Sequence, residues 1–152
     1  MKEKKRTKWY KISGIFILIL LVGFILFWRF HGIAVSVDKR AAAVERGNTD
    51  GKMQEQKVEV SISGKYYYKL WTADEFSGKI SIENYAQTEG EVWNLRIEKY
   101  APLIYREYDR SVLNTSYFGV ISAGKEFSEF EILVDDGNGI DTENPGHIIY
   151  IE

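Results

Sequence analysis

The stretch Lys57-Val58-Glu59-Val60-Ser61-Ile62 places an apolar side chain at every second position. Because successive side chains of a β-strand point to opposite faces, this alternation is typical of a strand with one buried and one solvated face. The Ser63-Gly64 pair that follows is typical of a turn, and residues 65–71 form a second apolar stretch. The sequence therefore predicts a hairpin over residues 57–71.

The same alternation recurs along the rest of the chain. We expect further strands near residues 79–83, 93–98, 103–108, 116–122, 129–134 and 147–151. Short strands separated by turns every 8 to 12 residues or so are typical of antiparallel sandwiches and barrels. The sequence therefore predicts an all-β domain over residues 57–152, an antiparallel β-sandwich or barrel of about seven or eight short strands.

The N-terminal segment differs sharply from this domain. Residues 12–28 contain no charged side chain, and as a helix they span about 25 Å, close to the thickness of the hydrocarbon core of a bilayer. They follow a lysine-rich tail over residues 1–11. The sequence therefore predicts a membrane anchor, with one N-terminal transmembrane helix over residues 12–30.

A cleaved signal peptide is the alternative interpretation of the same segment. Ala34-Val35-Ser36 offers small residues for cleavage after Ser36, and the product would be a secreted protein. The apolar stretch is longer than the core of about 7 to 15 residues that signal peptides use, which favours the uncleaved anchor.

Charge and composition predict where the chain lies around the membrane. Six Lys and Arg residues precede the apolar stretch and Arg29, Lys39, Arg40 and Arg46 follow it, which favours a cytoplasmic N-terminus and an extracytoplasmic C-terminal domain. Residues 31–56 are predicted to form a juxtamembrane stalk, in which Asp38 would cap a short helix that ends at Gly47.

The exported part is acidic. From His31 onward the chain has 13 Lys and Arg against 21 Asp and Glu, a net charge of −8. Such a domain repels nucleic acids, so the expected partners are the membrane through residues 12–30 and an envelope protein, a basic protein or a glycan. The chain has no Cys, so hydrophobic packing must stabilise the domain without disulfides.

The sequence carries no recognisable catalytic motif. His31 adjoins the apolar segment and His147 begins a terminal strand, and there is no glycine-bracketed nucleophile, zinc-binding helix motif or phosphate-binding loop. The acidic segment 135–143 lacks two carboxylates that a calcium loop requires. We therefore expect a non-enzymatic protein and assign no catalytic, cofactor or metal-binding residue.

Aromatic side chains suggest a binding surface instead. In a strand through residues 65–71, Tyr67 and Trp71 would face away from Tyr66 and Tyr68, so at least one of these two sets would face solvent if one side of the sheet is solvated. Exposed aromatic residues anchor protein partners or stack on sugars. The candidate surface comprises Tyr67, Trp71, Tyr105, Asp135 and Asp136.

Three segments carry a resemblance to a known group of proteins: Phe76-Ser77-Gly78-Lys79-Ile80-Ser81-Ile82, Tyr117-Phe118-Gly119-Val120-Ile121-Ser122 and Phe127-Ser128-Glu129-Phe130-Glu131-Ile132. Across residues 76–134 the chain resembles small, singly anchored exported proteins of Gram-positive bacteria whose function is unassigned. The expected function is a non-enzymatic, membrane-anchored, extracytoplasmic binding or envelope-associated module, and its narrower form is an immunity-type protein. The alternative is a glycan-active enzyme or carbohydrate-binding protein released after Ser36.

Overall fold

The computed structural model describes residues 3–49, 52–109, 111–137, 139–143 and 145–151. Within these ranges it describes the side chains from residue 13 onward, except at residue 49. The chain forms one N-terminal helix followed by an eight-stranded antiparallel sheet, which confirms the predicted all-β domain preceded by one apolar helix.

The helix α1 spans Glu3–His31. Its segment Ser13–His31 is long and apolar enough to cross a membrane, and none of this segment is buried inside the protein. An unburied apolar helix has no protein core to pack into, which distinguishes it from the central helix of a soluble domain. The predicted segment 12–30 therefore coincides with the apolar part of α1.

The strands follow one another around a single sheet. Their bounds are β1 Ile33–Thr49, β2 Lys52–Tyr68, β3 Asp74–Ile82, β4 Val92–Ile97, β5 Ala101–Asp109, β6 Val112–Ala123, β7 Phe130–Val134 and β8 His147–Tyr150. The order across the sheet is β4-β3-β2-β1-β8-β7-β6-β5, and every neighbouring pair is antiparallel. Strands that are consecutive in the chain are thus neighbours in the sheet, except β4 and β5, which form its two edges.

The sheet curls until its two edges almost meet. Glu91, just before β4, forms a bridge with Arg106 of β5, and their backbone N–H groups each donate to the other residue's carbonyl at 2.9 and 2.8 Å. Together with the β1–β8 pairing, this bridge produces a nearly closed up-and-down barrel.

The inside of the barrel is packed with apolar side chains. Val58, Val60 and Ile62 of β2 point inwards and are buried, as their alternation predicts. The largest fully buried side chains are Tyr66, Tyr105, Phe76 and Phe118. Aromatic rings of this size fill a narrow eight-stranded barrel, so the barrel interior is a hydrophobic core.

A short 3₁₀ helix lies near each end of the barrel. Lys125–Phe127 lies near α1, where the Phe127 ring packs edge-on against Phe76 at 4.8 Å. Ala86–Thr88 follows β3, and its Thr88 hydroxyl donates to the Tyr85 carbonyl at 2.7 Å. Thr88 and Phe127 are both buried, so each short helix contributes a side chain to the core.

The predicted stalk over residues 31–56 is wrong, because most of it is β1 and the start of β2. β1 pairs with β2 along its whole length, from Ile33 opposite Tyr68 to Thr49 opposite Lys52. Its inward side chains include Val37, Ala43 and Glu45, all buried. Alanine and glutamate at inward positions hide the apolar alternation of a strand, and no helix forms between Asp38 and Gly47.

The predicted turn at Ser63-Gly64 is also wrong, because β2 continues through it. Gly64 lies opposite Gly78 of β3, and a Cβ on Gly64 would lie 2.5 Å from the Ser77 carbonyl oxygen. Glycine therefore permits β2 and β3 to approach closely, as at the corners of barrels. The pairing of β2 with β3 replaces the predicted hairpin over residues 57–71.

The helix and the barrel are joined by a single residue, Gly32. Its N–H donates to the Trp28 carbonyl at 3.0 Å and its φ is 72°, a helix-ending conformation that glycine adopts without strain. The Trp28 indole N–H donates to the Tyr68 carbonyl at 3.1 Å, and Lys69 Nζ donates to the Phe30 carbonyl at 3.2 Å. These contacts fix α1 to the end of β2.

Gly32→Ala is expected to weaken this junction. The new Cβ would lie 2.9 Å from the Tyr68 carbonyl oxygen in an unfavourable backbone conformation, so we expect a loss of about 1–3 kcal/mol in the free energy of unfolding. Denaturant unfolding of the full-length protein in detergent measures this loss of stability. Gly23→Ala is the matched control, because its Cβ would meet no atom within 4 Å. Equal stability of the two variants would contradict this account.

Candidate binding surface

The structure does not gather the five predicted surface residues into one site. Tyr67 and Trp71 lie at the barrel end next to α1, where Tyr67 is half-buried and Trp71 is 71% exposed. Asp135 and Asp136 follow β7 at the opposite end, where Asp136 lines a groove with Asn48. The two groups are therefore separate features of the surface.

Tyr105 is wrongly predicted as a surface residue. It is only 2% exposed, and its hydroxyl donates to the Ile80 carbonyl at 2.7 Å inside the barrel. Ala101 and Leu103 are buried on the same side of β5, so the odd-numbered side chains in the first half of this strand point inwards. Burial raises the pKa of the Tyr105 hydroxyl, which keeps it a neutral donor.

The even-numbered side chains of β5 form an exposed apolar surface together with β4 and β6. Ile104 lies opposite Tyr117 and Tyr108 opposite Leu113, while the Trp93 ring lies beside Tyr108 with centroids 6.0 Å apart. The five side chains are between 38% and 62% exposed. We call this set the aromatic face. Large apolar side chains exposed together on one side of a sheet mark interaction surfaces.

Polar neighbours hold the Trp93 ring in position on this face. Its indole N–H donates to the Glu91 carboxylate at 2.8 Å, and the Arg106 guanidinium carbon lies 5.3 Å from the ring centroid. Glu91 and Arg106 are also joined through their backbones. A ring that is already immobilised loses little conformational entropy when a partner covers it.

Sequence reasoning missed the aromatic face because both sides of β5 are apolar. Leu103 and Tyr105 alternate with Ile104 and Tyr108, so the alternation does not indicate which pair points inwards. The register between β5 and β6 also shifts here, since Leu103 pairs with Gly119 and Ile104 pairs with Tyr117. That shift is invisible in the sequence alone.

A buried polar cluster lies at the barrel end away from α1. Glu45 is 6% exposed and accepts hydrogen bonds from the Tyr85 hydroxyl, from His147 Nε2 at 2.6 Å and from Gln56 Nε2 at 2.6 Å. Tyr85 and His147 also contact each other at 3.1 Å. The cluster joins β1, β2 and β8 to the segment that follows β3.

Burial and hydrogen bonding together set the protonation states of Glu45 and Tyr85. Burial alone would raise the pKa of Glu45, but the bonds from Tyr85, Gln56 and His147 outweigh burial and the pKa lies below its ordinary value. Burial, and then the bond to Glu45, raise the pKa of Tyr85. Glu45 is thus an ionised acceptor and Tyr85 a neutral donor, and the acceptor sites of Glu45 are used inside the protein. This favours a structural role for the cluster.

A polar groove of about 330 Å³ opens beside this cluster, lined in part by Asn48, Asp136 and His147. The acidic segment next to it is folded on itself, since Asp135 accepts from the Gly137 N–H and Asp141 from the Glu143 N–H, each at 2.9 Å. Among the described residues, no group of three or more His, Asp and Glu is arranged to hold a metal ion.

Comparisons with known proteins identified no related protein or structure. No protein-family model matches the chain, and no curated protein or solved structure matches it either. The resemblance to small exported proteins of Gram-positive bacteria therefore stays a prediction, and the function is argued from the geometry.

Proposed function

We propose that this chain is a non-enzymatic binding module, held at the outer surface of the cytoplasmic membrane by α1, that docks an envelope protein on its aromatic face. The exposed aromatic face, with two apolar cross-strand pairs and Trp93 beside Tyr108, is the observation that carries the proposal. The apolar helix and the excess of Lys and Arg before it support the anchoring and the orientation.

The composition of the aromatic face favours a protein over a glycan. Ile104 and Leu113 share the face with Trp93, Tyr108 and Tyr117, and Arg106 lies over the Trp93 ring. Aromatic residues and Arg are enriched at protein interfaces, where a few of them supply most of the affinity. Aliphatic side chains offer a sugar no hydrogen bonds. An immunity-type protein that binds a basic toxin is the narrower form of this proposal, which the charge of −8 supports.

The position of Ser36 favours an anchored protein over a released one. Ser36 lies inside β1 opposite Lys65, so cleavage after it would remove residues 33–36 from the strand. Those residues pair with the end of β2. A secreted glycan-active enzyme or carbohydrate-binding protein would thus lose part of the barrel as well as the helix.

Site-specific crosslinking in intact cells tests the docking site. A photoreactive residue at Tyr108 is expected to give a discrete crosslinked protein, whereas the same residue at Lys57, exposed on β2, is not. With the identified protein purified, Tyr108→Ala is expected to weaken binding about 30-fold, the effect of losing a side chain worth roughly 2 kcal/mol. Tyr108 is 62% exposed, so the variant should fold normally.

Three outcomes would contradict the proposal. Equal crosslinking from Tyr108 and Lys57 would show that the aromatic face is not a preferred site. Binding to an envelope glycan that Tyr108→Ala abolishes would replace the protein partner with a carbohydrate. Protection of a C-terminal tag from external protease in intact cells would place the barrel inside the cytoplasm and exclude an envelope partner.

A further inference from the structure

The loop between β2 and β3, residues 69–73, presents a strained and exposed tryptophan. Trp71 is 71% exposed and has a φ of 64°. A bulky residue in this left-handed conformation costs about 1–2 kcal/mol, and such strain is retained where the surrounding structure enforces it. The loop thus adopts an unfavourable backbone conformation that leaves the indole ring of Trp71 exposed to solvent.

Internal contacts fix the shape of this loop. Asp74 accepts from the Lys69 N–H at 2.9 Å and from the Tyr66 hydroxyl at 2.8 Å. Lys69 Nζ lies 3.1 Å from the Glu75 carboxylate. Because both ends of the loop are hydrogen-bonded, Trp71 projects from a rigid support.

The loop is also attached to the end of α1. The Arg29 guanidinium carbon lies 5.8 Å from the centroid of the Trp71 ring, and Lys69 Nζ reaches the Phe30 carbonyl at 3.2 Å. Both Arg29 and Phe30 belong to the last turn of the helix. The indole is therefore held beside the point where the apolar helix ends.

Other apolar side chains are exposed at the same level. Phe30 at the end of α1 and Ile33 at the start of β1 are both exposed. Tryptophan is enriched at the boundary between bilayer and water, and Arg and Lys near helix ends extend their charged groups to the same layer. This combination fits the interfacial layer of a lipid bilayer.

We propose that Trp71 and the loop 69–73 insert into the interfacial layer of the membrane, forming a second contact besides α1. The inference rests on the membrane anchoring in the proposed function. With the helix spanning the bilayer, the loop contact fixes how the barrel is tilted and which side of it meets the membrane surface.

Fluorescence quenching of full-length single-tryptophan variants in phosphatidylcholine–phosphatidylglycerol vesicles tests this proposal. The chain has four tryptophans, at positions 9, 28, 71 and 93. With quenchers attached to lipids at headgroup depth, we expect Trp71 emission to fall about twofold or more and to shift to shorter wavelength, as for an interfacial ring. Trp93, on the aromatic face, is the matched exposed control and should be unaffected.

A second pair of variants keeps the Trp28–Tyr68 hydrogen bond intact. The difference in quenching between W9F/W93F and W9F/W71F/W93F isolates Trp71 while Trp28 stays in place. A substantial difference supports insertion. Trp71 behaving like Trp93, in protein that floats with the vesicles on a density gradient, would overturn the inference and leave the anchor standing. Full-length protein that does not float with the vesicles would overturn the membrane anchor itself.

Discussion

Gly119→Ala is expected to unfold the barrel. A Cβ at this position would lie 2.0 Å from the Leu133 carbonyl oxygen, and the φ of 155° already disfavours other residues. Because Gly119 pairs with Leu103 on one side and Val134 on the other, three strands must shift to accept a methyl group. We expect a loss of about 4 kcal/mol or more, which is a large part of the stability of a small domain.

Denaturant unfolding followed by far-UV circular dichroism measures this loss in detergent-solubilised full-length protein. Gly146→Ala is the matched control, since a Cβ there meets no atom within 4 Å. It should stay within about 0.5 kcal/mol of the parent protein. A Gly119→Ala variant as stable as Gly146→Ala would show that β6 and β7 are not as closely paired as described.

Glu45→Gln is expected to destabilise the barrel by about 2–4 kcal/mol at neutral pH, because three donors lose a charged acceptor in a buried place. The amide of glutamine also presents donors to Tyr85, Gln56 or His147, which already donate to this position. Glu55→Gln is the control, since Glu55 forms an exposed ion pair with Arg46, and such pairs contribute less than about 1 kcal/mol.

The effect of Glu45→Gln depends on pH in a defined direction. The folded-state pKa of Glu45 lies below its ordinary value, so its ionised form stabilises the fold above the unfolded-state pKa. That stabilisation is lost as the pH falls towards the folded-state pKa. The stability difference between parent and variant should therefore narrow on acidification. A difference that stays constant across this range would contradict the assignment of Glu45 as the ionised acceptor.

The all-β class was predictable because several strands place large apolar residues at alternate positions. Val58, Val60 and Ile62 show this directly, and all three are buried. β1 was not predictable in the same way, because its inward positions include Ala43 and Glu45. A carboxylate is acceptable there only because Gln56, Tyr85 and His147, which are distant in sequence, supply hydrogen bonds.

The location of the binding surface was less predictable than the fold. Tyr105 and Tyr108 are equally aromatic, yet Tyr105 lies in the core and Tyr108 lies on the aromatic face. Their difference arises from strand register, which depends on contacts between distant segments. Trp71 is exposed, and its strained backbone and its contact with Arg29 appear only in three dimensions.

The single-residue junction at Gly32 has a consequence for how a partner would be found. A long flexible tether lets a domain sweep through a large volume, whereas the one-residue junction at Gly32 and the Trp28–Tyr68 hydrogen bond keep the barrel close to the end of α1. With α1 in a bilayer, the barrel diffuses in two dimensions. The aromatic face then stays at a nearly constant distance from the membrane surface. Partners confined to the same distance meet it at a raised effective concentration, so a modest intrinsic affinity is sufficient for occupancy.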